Sequence, residues 1–339
     1  MLVRSRREHS GLPCRHATQN CRGKMFVCNT GDEAGRVGAP DTFFNVVHAT
    51  QLIRRMHGGS QSILIRGEDE RLYVVKLNNN QQGPNLLANE VLGSELLHAV
   101  GLPTPSWKPI FISENFIKKN PSLHFELQFG SRKVRSGIHF GSQFISRTAG
   151  GEVYDFLPSS FCNRIVNRED FLGIYIFDVW ANHRDHRQAV FSTRQTNRAI
   201  NAHFIDNGHL FGGPHWDFRD KPGAAMCLDR NLYTTTWQES DVDAWISRFE
   251  TSIPQSLSRV TQQVPQDWYN GNIDELISCL LFRSSDLSNL FQLEVEHNQR
   301  IKILPRTGSG NASMPLRHSR SSPIRSIFGR SSFLVAPRC

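Results

Sequence analysis

Two short, mainly apolar runs rich in β-branched residues, 63–66 and 72–77, flank the polar turn Gly67-Glu68-Asp69-Glu70. That pattern predicts a β-hairpin. On its second strand Leu72, Val74 and Lys76 share a face, so a lysine is aligned with apolar side chains and has to point into something. The stretch before it, 43–56, reads as a strand or a helix and leads into the turn Gly58-Gly59-Ser60-Gln61-Ser62. Pro84 in front, with Gly101 and Pro103 behind, brackets a helix over 84–100. Leu86, Glu90, Gly93 and Leu97 fall on one stripe of it, so Glu90 interrupts an apolar face. A second hairpin is predicted over 107–112 and 123–129, and a last strand over 143–146. Ala149-Gly150-Gly151 then makes a break suited to a hinge.

The run 171–180 is apolar on nearly every face, the pattern of a buried helix. Asn167 is its expected N-cap, with Glu169 and Asp170 in the first turn where the helix dipole favours negative charge. Residues 178–213 then pack Asn182, Asp185, Gln188, Asp206 and several histidines between apolar segments, and such polar density needs a reason. Two short β-type segments, 189–191 and 202–205, are expected there, the second ending in Asp206-Asn207-Gly208. Helices are expected over 241–250, 253–264 and 273–292.

With 38% hydrophobic and 21% charged residues in 339, the chain has a globular composition, and no apolar run approaches the ~20 residues of a membrane span. The expected class is α+β, a two-lobed fold with disordered tails: a polar segment over 1–41, lobes over 42–148 and 149–303, and a tail over 304–339. The formal net charge of +8 belongs to the tail. Residues 297–339 hold eight basic and no acidic residues, and removing these from 39 basic leaves 31 against 31 acidic. Nucleic acid or an acidic surface is therefore a partner for the tail alone, and a solvated tail is the plainer account. Seven cysteines, with Cys14, Cys21 and Cys28 seven residues apart, lack zinc-knuckle spacing and read as free thiols. The N-terminus shows arginines without an apolar segment behind them, so a cytoplasmic protein is expected, with Met25 as an alternative start.

The chemistry that these residue types share is phosphoryl transfer. Backbone N–H groups of a Gly-rich turn approach phosphates closely, a strand lysine pairs with them, and a helix glutamate fixes that lysine. One aspartate positions or deprotonates an attacking hydroxyl, and another holds magnesium through hard oxygen contacts. Gly58, Gly59, Lys76, Glu90, Asp185 and Asp206 each have an ordinary structural explanation taken singly; their order and spacing favour the chemistry. Two other classes fit parts of the pattern. A nucleotide-binding interaction protein without catalysis needs only Lys76, Asp206 and the fold, and a metallo-hydrolase would use His183, His186, Asp206 and His209, although no HExxH helix supplies a general base.

The segments YVVKLNNN, ANEVLGSELLHAVGLPTP, DVWANHRDHRQAVF and FIDNGHLFGG resemble the HipA-like kinase family of bacteria, and the similarity covers about residues 43–295. The resemblance implies a protein-kinase-like bilobal fold with a small β-rich N-lobe and a mostly helical C-lobe. It also implies ATP with Mg2+ as cofactors, and transfer of the γ-phosphate to a Ser or Thr hydroxyl of the protein itself or of a protein substrate. By position Lys76 matches the nucleotide-binding lysine, with Gly58, Gly59, Ser60, Glu90 and Gln143 assigned to the same cofactor. Asp185 matches the catalytic aspartate beside Asn182, and Asp206 the metal-binding one. The chain departs from the family's Asn-x-Asp-x-His-x-x-Asn loop. Its aspartate lies one place late relative to Asn182, and Ala189 stands at the final asparagine position, which leaves Gln188 as the nearest metal-binding amide.

Overall fold

Short alternating strands bury one face each, and the first part of this chain solves that by closing its sheet on itself. The computed structural model describes residues 45–56, 58–147, 151–193, 199–219, 230–233, 236–298 and 301–305. The segment before residue 42 with Cys14, Cys21 and Cys28, most of the Ala149-Gly150-Gly151 break, and the tail beyond 305 lie outside the described residues. The architecture is mixed α+β. Strands β1 (Val47–Arg55), β2 (Ile63–Gly67), β3 (Leu72–Lys76), β4 (Trp107–Ile112) and β7 (Gly137–Gln143) form a closed barrel in the order β1-β2-β3-β7-β4. A parallel pairing of β1 with β4 shuts it. Ile63, Ile65, Tyr73, Val75, Ile110 and Ile112 fill its interior, each such side chain contributing about 1.5–3 kcal/mol on full burial.

Within the ambiguous stretch 43–56, Val47–Arg55 is a strand, and the second hairpin is corrected. β4 pairs with β7 and β1, while the chain after it forms α2 (Glu114–Lys119). Ser113 caps that helix, its Oγ accepting the Phe116 N–H at 3.1 Å, with Glu114 in the first turn and Lys118 and Lys119 in the last. β5 (His124–Glu126) pairs only with β6 (Ser131–Lys133). The strand expected over 143–146 is β7, which spans Gly137–Gln143 and ends where that segment was to begin.

The remaining elements are α1 (Leu86–Ala99), β8 (Val153–Tyr154), α3 (Asp170–Trp180), β9 (Gln188–Thr193), β10 (Ile200–Ile205), β11 (Thr236–Gln238), α4 (Glu239–Thr261), α5 (Ile273–Ser285), α6 (Leu287–His297) and β12 (Lys302–Leu304). Leu304, the first residue of the expected tail, therefore ends a strand paired with β11. Asn167 does not cap α3 with its side chain; Glu169 holds the cap position, and the Asn167 amide bonds Asp170 and the Ala202 backbone instead. Where two helices were expected around Pro254, α4 runs unbroken. Val242, Trp245, Phe249, Ile253, Leu257 and Val260 form one buried stripe across it, and the proline sits on the exposed side. The single helix expected over 273–292 is two, divided at Asp286, whose carboxylate accepts from the Asn289 amide at 2.6 Å.

A second, larger core gathers α3, α4, α5 and α6. Helix α1 belongs to it: Leu87, Val91, Leu92 and Leu96 pack there although the helix lies between barrel strands in sequence. None of the helices among the described residues is long and apolar enough to cross a membrane.

His139 of β7 is fully buried, and its Nδ1 accepts the Asn78 N–H at 2.9 Å, which leaves the proton on Nε2. Burial pushes this imidazole down to about 4. The folded state therefore keeps it neutral while the unfolded chain takes up a proton near pH 6.5, so stability is full above about 6.5 and falls as pH drops towards 4. Thermal melting from pH 7 to 4 is expected to show this loss, up to roughly 3 kcal/mol, and His139→Asn should flatten that limb of the profile.

Candidate active site

Strand β3 leaves the barrel with Lys76 on the face away from its interior. Helix α1 brings Glu90 to meet it: the Lys76 ammonium bonds Glu90 Oε1 and, at 2.6 Å, Asp206 Oδ1. Burial opposes the lysine's charge, but Asp206 and Glu90 outweigh that and raise its pKa. In return the Lys76 charge, against the cost of burial, holds the Asp206 carboxyl down at about 2. Asp206 directly follows β10 in a left-handed conformation, φ +67°, which a residue with a side chain adopts only at a cost of about 1–3 kcal/mol. Its side chain stays 27% exposed, whereas Glu90 is 4% exposed, so Asp206 is the carboxylate within reach of a ligand.

The register of the β9–β10 hairpin puts Gln188 opposite Ile205. Gln188 Nε2 consequently donates to the other Asp206 oxygen at 2.8 Å. Behind this pair lies a fully buried ion pair, Arg187 with Asp178 of α3. Arg187 donates from Nε and Nη2 to the two Asp178 oxygens, and from Nη1 to the Ile205 carbonyl and Asn207 Oδ1 at 2.9 and 2.8 Å. Burial resists ionisation of Asp178, yet Arg187 and His183 keep its carboxyl below the usual range. His183 Nδ1 lies 3.2 Å from Asp178 Oδ1.

Backbone bonds zip the two loops together. Arg184 N–H reaches the His209 carbonyl at 2.9 Å, Phe211 N–H the Ala181 carbonyl at 2.7 Å and Gly212 N–H the Asn182 carbonyl at 3.1 Å. Helix α1 closes the third side. Asn89 Nδ2 donates to the Gly208 and Leu210 carbonyls at 2.9 and 3.0 Å, and Trp216 Nε1 donates to Asn89 Oδ1 at 2.8 Å. The approach requires glycine on both sides: a Cβ at Gly93 would meet Asn207 Cβ at 2.5 Å, and one at Gly208 would meet Leu86 Cδ1 at 2.5 Å.

These elements surround a cleft of about 610 Å³. Ser60, Lys76, Glu90, Gln143, Gln188 and Asp206 all line it. Gly58 and Gly59 sit in the same turn without lining the cleft, and the Ser60 carbonyl is held by Asn80 Nδ2 at 2.6 Å. Asn182 does not line the cleft either. It is buried at the end of α3 with φ +48°, where a left-handed residue turns the chain out of the helix. Asp185 is exposed, accepts the His186 N–H at 2.7 Å, and lines an adjoining hollow.

Residues 49–202 match the model of the family described as HipA-like kinase. The matched segment is somewhat under half of the chain. It holds every predicted site residue except Asp206, which lies just beyond its end. Among solved structures the chain is similar to the Golgi casein kinase, at 12% identity and a TM-score of 0.44 over 75% of this chain and 73% of that one. It is also similar to the same kinase with Mn/ADP bound, at 10% and 0.45 over 77% and 75%. A third is the Helicobacter pylori proinflammatory kinase CtkA, at 12% and 0.43 over 70% and 94%. Likenesses this loose assign no role to any residue of this chain. No curated protein matches it.

Sequence reasoning passed over Asp178, Arg187 and Asn89, which hold the HipA-like segment to the loop after β10. The signal was present for two of them: a carboxylate inside an otherwise apolar helix and an amide inside a buried one need partners. Asp178→Ala is expected to strand the Arg187 charge and cost about 3–5 kcal/mol, whereas the double change Asp178→Leu with Arg187→Met should cost less than the sum of the single ones. Urea unfolding of the four proteins measures both.

Proposed function

We propose that the chain is a HipA-like protein kinase that binds ATP with Mg2+ in the cleft and passes the γ-phosphate to a Ser or Thr hydroxyl, acting in the cytoplasm on itself or on a protein acceptor. The observation that carries this reading is the Lys76 ammonium held between Glu90 and Asp206 at the wall of the cleft. Such a lysine is fixed in place, fully charged and aimed at the position of a polyphosphate, with Glu90 serving to hold it there. The donor set suits magnesium: the partly exposed carboxylate of Asp206 and the Gln188 amide beside it are hard oxygen ligands, with Gln188 turned to present its oxygen. Among the described residues no group of three or more His, Cys, Asp or Glu is placed to hold a metal. A phosphate-bridging ion needs only one or two carboxylates from the protein. When bound, magnesium neutralises charge on the phosphates.

Ser60 lines the cleft from the barrel side, and Gln143 lines another part of its wall. The acceptor oxygen forms a bond to the γ-phosphorus as the bond to the bridging oxygen breaks. ADP departs with the electron pair, and Asp185 receives the hydroxyl proton. A second reading, a nucleotide-binding interaction protein without catalysis, draws on the position of Asp185, which is exposed and does not line the cleft that holds Lys76 and Asp206. The metallo-hydrolase reading has no such support, since His183 is buried against Asp178.

Asp206→Ala is expected to weaken magnesium-dependent ATP binding, and Gln188→Ala to raise the magnesium requirement. Asp185→Ala should bind ATP as the wild type does and lose transfer by about 10²–10⁴-fold. Titration calorimetry and labelled-ATP transfer separate the outcomes. Absence of nucleotide binding by the wild type overturns the whole reading, and ATP binding with no transfer in either the wild type or Asp185→Ala leaves the non-catalytic one.

A further inference from the structure

A hollow of about 320 Å³ opens next to the cleft, and Asp155, Gln188, Val190 and Ile205 line both. Its size falls at the lower end of ligand pockets, roughly 300–1,000 Å³, which is room for a side chain rather than for a second nucleotide. Its lining is mainly apolar, with Phe156, Leu157, Phe191 and Leu232. Phe156 is 67% exposed at its edge. The charged groups that line it are unequal. Asp155 and Asp185 are exposed carboxylates, whereas Arg187 is buried, with its donors spent on Asp178, Ile205 and Asn207. A lone exposed phenylalanine is ordinary on a protein surface. One at the edge of a concavity that contains Asp185 and shares a wall with the nucleotide cleft is placed where an acceptor chain would lie.

We propose that this hollow is the acceptor subsite, and that it selects a polypeptide carrying an apolar side chain beside the reacting Ser or Thr. The inference rests on the kinase reading above and names its substrate class. An acceptor presented to Asp185 has its hydroxyl at the shared wall, between the hollow and the phosphate end of the cleft at Lys76 and Asp206. The neighbouring side chain then falls among Phe156, Leu157 and Leu232. An acidic neighbour is disfavoured twice, by loss of apolar contact and by repulsion from Asp155 and Asp185.

The test uses the full chain with ATP and magnesium on Ser peptides that differ only at the residue next to the serine: Leu, Phe, Ala, Lys or Asp. Leu and Phe peptides are expected to exceed the Asp peptide in kcat/KM by at least about tenfold. Phe156→Ala and Phe156→Asp should narrow that gap, with ATP affinity and melting temperature near those of the wild type, since Phe156 does not line the nucleotide cleft. Equal rates across the peptides, or a preference that survives both substitutions, overturns the subsite alone. Wild-type protein that binds ATP yet phosphorylates none of the peptides and no residue of its own overturns the transfer reading, and the subsite with it.

Discussion

Arg187 and Asp178 are both fully buried, and the side of the cleft that carries Gln188 and Asp206 is hung on their contact. A guanidinium removed from water must find acceptors for most of its donors, or the fold loses several kcal/mol. Here the acceptors come from three places: the carboxylate of α3, the end of β10, and the Asn207 amide. Because the fork is planar and rigid, satisfying it fixes how the loop after α3 lies against the strand end that carries Asp206. The polar positions at the cleft therefore owe their geometry to an interaction with no access to a ligand.

The second constraint acts at the surface of that scaffold. Lys76 stands between Glu90 and Asp206, which draws together a barrel strand, helix α1 and the loop after β10. The two carboxylates differ in burial and so in use. Glu90 is enclosed and can only hold the lysine, whereas Asp206 is partly exposed, and its strained left-handed backbone turns the next residues back towards Arg187. Charge on Asp206 is secured by Lys76 across the ordinary pH range, so the site is polar and ionised before any ligand arrives.

Helix α1 makes the two cores dependent on each other. Its Glu90 reaches the barrel lysine, while its Asn89 gathers the Gly208 and Leu210 carbonyls and its leucines enter the larger core. Gly93 and Gly208 permit the approach, and any side chain at either would push the helix from the loop. A displacement of α1 would thus be felt at Lys76 and at Asp206 together.

Local pattern in the sequence determined a good deal. The apolar runs 63–66 and 72–77 on either side of a polar turn, the helix bracketed by Pro84 and Gly101, the buried helix before the polar stretch, and the likeness of its motifs to HipA-like kinases were all readable, since each depends on neighbours within one element. Lys76 and Glu90 stood out because a charge on an apolar face has to be answered from elsewhere in the fold. What answers it is a matter of tertiary structure. Alternation says that a strand has two faces and not which strand it joins, so the β4–β7 pairing and the closure by β1 came only with the barrel. A proline ends a helix by propensity, but the continuous buried stripe of α4 outweighs one lost hydrogen bond. Asn182 has the right type for chemistry and is spent on the turn out of α3, and Asp185 opens on a hollow of its own, because the direction of a side chain follows from backbone angles set by the packing around it. The Asp178–Arg187 pair shows the division most plainly: the apolar helix around Asp178 marks a charge in need of a partner, nothing in the polar loop singles out Arg187, and only burial in a common core, where an unpaired charge is far costlier than in water, makes them partners for each other.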